Sequence, residues 1–160
     1  MGLLIDTKLQ PPRLREGHMS RPHLLDQLDR GLESGLILVS APAGYGKTSL
    51  AVEWLAQRPA LNAAWVSLDE NDNDLDVFLR YLTTAVHNAF PRERPCANTQ
   101  ALLDAPQPPP LETVAATLVN DLFHLPGHLL LALDDYHFIT QPAIQQVMAL
   151  LVRHLPPPCD

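Results

Sequence analysis

Apolar residues along the chain fall either in short continuous runs or at helical spacing. Continuous runs at 36–41, 63–69 and 128–136 predict three buried strands, because the strands of a parallel sheet are covered on both faces. Around these runs, apolar side chains recur every three or four positions, which predicts amphipathic helices. The predicted helices lie at 22–32 with Ser20 as N-cap, at 47–58, at 75–86, at 111–125 and at 142–155.

The order of these elements predicts an α/β fold with a parallel sheet, since strand–helix–strand units make right-handed crossovers. Three such strands would leave a sheet edge uncovered, so we expect a further strand after residue 160 and a truncated domain at 20–160. A Pro-Pro pair blocks a helix near the start, and residues 1–19 are expected to form an extended lead-in. Six prolines within 91–110 predict a long irregular connection.

A phosphate-binding pattern, SAPAGYGKTSL at 40–50, joins the first predicted strand to the next helix. Ala41 stands where the general pattern has its first glycine, but this position is the strand end, and the following GYGKT is intact. The alternative is a chance Gly-Lys-Thr turn, and the strand before and the helix after it favour a nucleotide site. The predicted fold is therefore a P-loop NTPase with three αβα layers. We call residues 41–48 the phosphate loop.

Each residue type in the phosphate loop suits one part of a nucleotide. Gly44 and Gly46 allow a tight turn that brings backbone N–H groups onto phosphate oxygens, at a helix N-terminus that favours anions. Lys47 supplies a cation for the β and γ phosphates, and Thr48 supplies a hydroxyl for Mg²⁺. The residues assigned to ATP or ADP are Gly44, Tyr45, Gly46, Lys47, Thr48 and Ser49.

The third predicted strand ends in two acids, Asp134 and Asp135, after four apolar residues. A P-loop site needs an acid at the end of a neighbouring strand to hold Mg²⁺, and we assign this role to Asp134 together with Thr48. Asp135 is the candidate catalytic acid, which would orient or deprotonate the attacking water. The alternative is that both acids merely cap the next turn.

Charge and cysteine content narrow the function further. The net charge of -7 argues against DNA binding by this segment itself, since binding to DNA phosphates needs clustered Lys and Arg. Cys96 and Cys159 fit no metal pattern and are expected to be cytosolic thiols. The sequence has no signal-peptide pattern and no apolar stretch of membrane length, so a cytoplasmic location is expected.

The arginines near the start have two possible roles. Arg13, Arg15 and Arg21 are either solvated or, above all for Arg21, in contact with the nucleotide.

Several segments together resemble the ATPase domain of the MalT-type regulators, the large ATP-binding members of the LuxR family within the STAND class of P-loop ATPases. These segments follow the family's order and are TKLQPPRLREGHMSRPHLLDQL, LVSAPAGYGKTSL, AAWVSLDENDND and LALDDYHFI. The alanine at position 41 is itself characteristic of that family.

The resemblance implies a nucleotide switch with slow ATP hydrolysis. ADP would hold a resting monomer, whereas an inducer and ATP would favour a form that self-associates. DNA binding would belong to a C-terminal helix-turn-helix outside the present sequence. By position, the resemblance assigns Gly44, Tyr45, Gly46, Lys47 and Thr48 to the phosphates, Asp134 to Mg²⁺ and Asp135 to catalysis.

Two other functions stay open at this point. A P-loop kinase for a small substrate would usually carry an arginine-rich lid, and the connection at 91–110 offers only Arg92 and Arg94. An interaction scaffold would bind a nucleotide without hydrolysing it. Measuring turnover with and without Asp135 would separate this scaffold from a switch.

Overall fold

Two strands and six α-helices make up residues 3–154, the part of the chain that the structure, a computed structural model, describes. Short 3-10 turns connect several of them, and none of these helices is long and apolar enough to cross a membrane. In chain order the elements are α1 (Pro22–Gly31), α2 (Lys47–Ala56), β1 (Asn62–Ser67), α3 (Leu75–Ala89), α4 (Ala97–Leu103), α5 (Leu111–Phe123), β2 (Leu129–Asp134) and α6 (Pro142–His154).

The two strands lie side by side and parallel, in a register that pairs Asn62 with Leu129 and Ser67 with Asp134. Helices α3, α4 and α5 form the connection between them, as a parallel pair requires. The predicted α/β class with parallel pairing is confirmed. Because β2 ends at Asp134, its acidic end lies at the carboxyl edge of the sheet, where ligands bind in open α/β sheets.

The apolar side chains of β2 point alternately to two separate clusters. Leu129, Leu131 and Leu133 pack on a large core that β1 shares with α3, α5 and α6. Leu130 packs on a small cluster formed by α1 and α2, whose buried members are Leu25, Leu28, Leu50 and Trp54. A strand presents successive side chains to opposite faces, so β2 carries helical packing on both.

The strand predicted at 36–41 is not formed, and the sheet of residues 3–154 has two strands instead of three. Ile37 packs on the small cluster, but Leu36 and Leu38 are 58% and 85% exposed. A strand exists only through hydrogen bonds to a neighbour, and no strand in the described part of the chain pairs with this segment. The apolar run therefore correctly indicated that part of this segment packs in a core, whereas the prediction of a paired strand was wrong.

The prediction of an irregular connection at 91–110 is wrong over part of this range, because helix α4 lies within it. The buried Thr99 donates through its backbone N and its Oγ1 to the carboxylate of Asp121 on α5, at 2.9 and 2.8 Å. This anchor comes from a residue 22 positions away, so local proline content gave no sign of it.

The other predicted helices are present with shifted ends. The residue at the N-cap of α1 is Arg21 rather than Ser20, and α2 and α5 each end two residues early. Helix α3 runs three residues further than its apolar stripe predicted. The last predicted residue of α6, Leu155, lies outside the described residues, as do Cys159 and the prolines at 156–158.

The lead-in packs against the same core as the rest of the chain. Its residues Asp6–Leu9 form a 3-10 turn, and Leu9 is buried in the large core. The ammonium group of Lys8 donates to Asp69 at 2.9 Å and also to the buried Asp72. The sequence predicted an extended segment here, whereas the structure has this turn and anchors it to the core.

The contrast between Leu82 and Leu38 yields a test of the core. Leu82 on α3 is fully buried, so Leu82→Ala should lower the free energy of unfolding by about 2–5 kcal/mol through lost contacts and a cavity. Leu38→Ala removes the same atoms from a side chain that is 85% exposed. It should change the free energy of unfolding by less than about 0.5 kcal/mol. Urea unfolding of both variants measures this, and equal losses would contradict the exposed placement of 36–39.

Candidate functional site

The phosphate loop makes its turn with two glycines in the left-handed region. Gly44 has a φ of +84° and Gly46 a φ of +73°, a conformation that L side chains rarely adopt. Helix α2 begins at the next residue, Lys47, so its first unpaired N–H groups and the positive end of its dipole lie at this turn. The geometry suits an anion, as the sequence pattern predicted.

The ammonium group of Lys47 folds back onto the start of the phosphate loop. Its Nζ donates to the carbonyl oxygens of Ala41 and Pro42, at 2.7 and 3.1 Å. These bonds hold the cation over the concave side of the turn. A phosphate oxygen that bound here would replace these carbonyls as the acceptor of Lys47, because an anion is a stronger acceptor than a neutral carbonyl.

Thr48 and Asp134 meet directly, although 86 residues separate them in the chain. The Thr48 hydroxyl lies 2.9 Å from both carboxylate oxygens of Asp134 and donates to them. Among residues 3–154 no three His, Cys, Asp or Glu side chains converge on a metal cage. The Thr48 hydroxyl and the Asp134 carboxylate are oxygen ligands of the kind that Mg²⁺ takes, together with phosphate oxygens and water.

The surroundings of Asp134 raise its pKa above the ordinary value. Burial is the main cause, and the negative charge of the neighbouring Asp135 adds to it. The hydrogen bond from Thr48 and the charge of Lys47 act in the opposite direction without cancelling it. A carboxylate kept partly dehydrated beside a like charge is a site that gains from a nearby cation.

Asp135 is held in a backbone conformation that is rare for residues other than glycine, with φ +57° and ψ +35°. Such strain is found most often at functional sites. Its side chain is half exposed, and His137 Nδ1 lies 3.9 Å from its Oδ1. Asp135 thus adjoins Asp134, and its carboxylate is open to solvent.

An open cleft of about 390 Å³ lies beside the phosphate loop, on the side of α1. This volume falls within the range of small-molecule sites. Arg21, Tyr45 and Lys47 supply its polar wall, while Leu24, Leu28 and Ile37 supply apolar surface. The cleft thus has both polar and apolar lining next to the phosphate loop.

Sequence reasoning gave Arg21 an ambiguous role, and the structure places it on the phosphate loop. Its two terminal nitrogens donate to the carbonyl oxygens of Tyr45 and Gly46, at 3.0 and 2.8 Å. Sequence reasoning missed the pair formed by the half-buried His18 and the buried Glu53, whose Nε2 and Oε2 lie 2.7 Å apart. A glutamate among the apolar positions of α2 was the only sign of it. Arg13 and Arg15 are exposed.

Several curated proteins similar to this chain carry the name HTH-type transcriptional regulator MalT. The chain is 34% identical to the Vibrio cholerae protein over 152 residues, which is 95% of this chain and 16% of that protein. It is 37% identical to the Cronobacter sakazakii protein and 36% identical to the Yersinia pestis protein, each over 96% of this chain and 17% of the relative. The chain thus spans about a sixth of the length of these relatives. No family model matches it.

These similarities confirm the relationship that the sequence motifs indicated. They cover nearly the whole chain. They leave the chemistry of the site to be tested directly.

The raised pKa of Asp134 predicts an unusual effect of its replacement. Its folded-state pKa exceeds the unfolded value, so the folded form binds the proton more tightly and stability falls as the pH rises from the ordinary aspartate range through the raised pKa. Asp134→Asn, which can still accept from Thr48, should therefore melt no lower than the unaltered chain at neutral pH. The difference between the two should vanish in acid. Thermal unfolding without Mg²⁺ measures this.

The matched control is Asp26→Asn, on the exposed face of α1. It should leave the melting temperature unchanged at both pH values. A clear loss of stability in Asp134→Asn at neutral pH would show that the hydrogen bond from Thr48 outweighs the cost of burying the carboxylate.

Proposed function

Because the chain is related to the MalT transcriptional regulators over nearly its whole length, we propose that it is the ATP- and ADP-binding switch module of a regulator of this type. The observation that carries this proposal is the meeting of Thr48 and Asp134 beside the phosphate loop. A chance Gly-Lys-Thr turn would have no reason to bring its hydroxyl to an acid at the end of a neighbouring strand. A Mg²⁺-nucleotide site requires both groups at one point.

Each group of residues in the site would bind a different part of the nucleotide. The N–H groups at the turn and the start of α2 receive phosphate oxygens, and Lys47 neutralises their charge. Thr48 and Asp134 would hold Mg²⁺, which when bound balances the charge of the terminal phosphates. The cleft beside Tyr45 and Leu24 would take the base and ribose. Ser49 follows in the first turn of α2.

Asp135 is proposed to accept a proton from the attacking water or to orient it during slow ATP hydrolysis. Its half-exposed carboxylate adjoins the proposed Mg²⁺ ligand but makes no close hydrogen bond to it. A positioned carboxylate of this kind contributes about 10²–10⁴-fold to a rate. Hydrolysis would return the module from its ATP form to its ADP form.

The wider role follows from the relatives named as transcriptional regulators. We propose a cytoplasmic P-loop domain at 20–160, preceded by the lead-in at 1–19, in a larger regulator. Its nucleotide state would control self-association and, through a separate helix-turn-helix, DNA binding. The net charge of -7 is consistent with leaving DNA contact to another part of the protein.

Removing the loop cation tests the nucleotide site. Lys47→Ala should abolish the rise in melting temperature that Mg²⁺ with ADP or ATP causes, because the phosphates lose their cation. A ligand at 100 times its Kd stabilises a folded protein by about 2.7 kcal/mol, which thermal unfolding detects easily. Arg30→Ala, which removes an exposed cation of α1, is the control and should keep the full shift. An unchanged shift in Lys47→Ala would refute the assignment.

Replacing Asp135 tests hydrolysis separately from binding. In the full-length protein, Asp135→Asn should keep ATP affinity and slow phosphate release by about 10²–10⁴-fold. Glu112→Gln, an exposed acid on α5, should change neither quantity. A normal rate in Asp135→Asn would reject the catalytic role. Binding without any turnover in the unaltered protein would favour the scaffold, and turnover that requires a small acceptor would favour the kinase.

A further inference from the structure

We propose that Arg21 is a positioning residue of the phosphate loop, whose guanidinium group fixes the direction of the N–H groups that receive phosphate. This inference rests on the proposed nucleotide site. Its basis is the pair of hydrogen bonds from Arg21 to two successive carbonyl oxygens, those of Tyr45 and Gly46, at 3.0 and 2.8 Å.

Peptide geometry links these carbonyls to the N–H groups of the turn. The carbonyl of Tyr45 shares a planar trans peptide with the N–H of Gly46, and the carbonyl of Gly46 shares one with the N–H of Lys47. In such a unit the C=O and N–H bonds point in opposite directions. By holding both carbonyls on its own side, Arg21 holds both N–H bonds on the opposite side.

Lys47 and Tyr45 restrain the start of the phosphate loop by donating to the carbonyls of Ala41 and Pro42, whereas the bonds from Arg21 act at its other end. Residues 42–45 are exposed, and Tyr45 is 66% exposed. Glycine has more backbone freedom than any other residue, so Gly46 has no intrinsic preference for its φ of +73°. The other bond to its carbonyl comes from Leu50 of α2, at 2.9 Å, and restrains only one of the two peptides.

Arg21 is itself firmly placed from both sides. It immediately precedes α1, which packs on α2 through the small cluster and through a hydrogen bond from Trp54 to Asp29 of 2.9 Å. Before it in the chain, His18 contacts the buried Glu53 of α2. The lead-in and α1 are thus both anchored to α2, the helix that begins in the phosphate loop. Arg21 lies in the chain between these two anchored segments.

The contact is close enough to depend on residue type at both ends. A Cβ placed on Gly46 would lie 2.8 Å from the nearer guanidinium nitrogen, so the absence of a side chain there lets Arg21 reach the backbone. On the other side, only arginine offers two donors in a fixed planar fork. Lysine would keep the charge but hold both carbonyls less well.

The test compares Arg21→Ala, Arg21→Lys and the exposed control Arg30→Ala in the full-length protein. Titration calorimetry with Mg²⁺-ADP and with Mg²⁺-pyrophosphate measures affinity, and thermal unfolding without ligand measures folding. Arg21→Ala should lose about tenfold or more in affinity for both ligands, Arg21→Lys should recover only part of it, and Arg30→Ala should match the unaltered protein.

Other outcomes would overturn the inference in distinguishable ways. A loss for ADP but not for pyrophosphate would place Arg21 on the base or ribose. Full recovery in Arg21→Lys would show that the charge alone matters. A lower melting temperature with unchanged pyrophosphate affinity would make Arg21 a structural residue only. If the unaltered protein binds neither ligand, the proposed function fails first, and this inference fails with it.

Discussion

The hydrogen bond from Thr48 to Asp134 is the contact on which the arrangement of the site depends. It joins the first turn of α2, which packs in the small cluster, to the last residue of β2, which packs on both clusters. Leu130 of β2 and Leu61 before β1 add apolar contacts from the small cluster on the same side. The phosphate loop is thereby held against the acidic end of the sheet, where a metal and a phosphate can meet.

The same contact carries an electrostatic cost that is typical of functional sites. Burial and the charge of Asp135 raise the pKa of Asp134, so its ionised form is held at the expense of folding stability. Asp135 adds a strained backbone at the adjacent position. Two unfavourable features thus fall at successive residues, and in the proposed function a bound cation would offset the electrostatic one.

The sequence could predict whatever depends on local pattern. Helical periodicity located α3, α5 and α6, and the turn chemistry of Gly44 and Gly46 appears as two positive φ angles. It could not predict which apolar runs find a partner strand or which distant residues anchor a helix: within residues 3–154 the run at 36–41 has no strand beside it, and α4 is fixed by Asp121 from another helix. Arg21 could be suspected from its charge, but its partners are backbone carbonyls, which leave no trace in the amino-acid sequence.

The lead-in shows how a segment without a core of its own becomes part of a site. Lys8 binds acids that follow β1, and Leu9 enters the large core, so one part of the segment is tied to the sheet. His18 and Arg21 are tied to α2 and to the phosphate loop. The segment therefore contacts elements of both hydrophobic clusters. The bond between Thr48 and Asp134 likewise joins α2 to β2. The phosphate loop and the lead-in are thus joined through Arg21, which lies between the lead-in and α1.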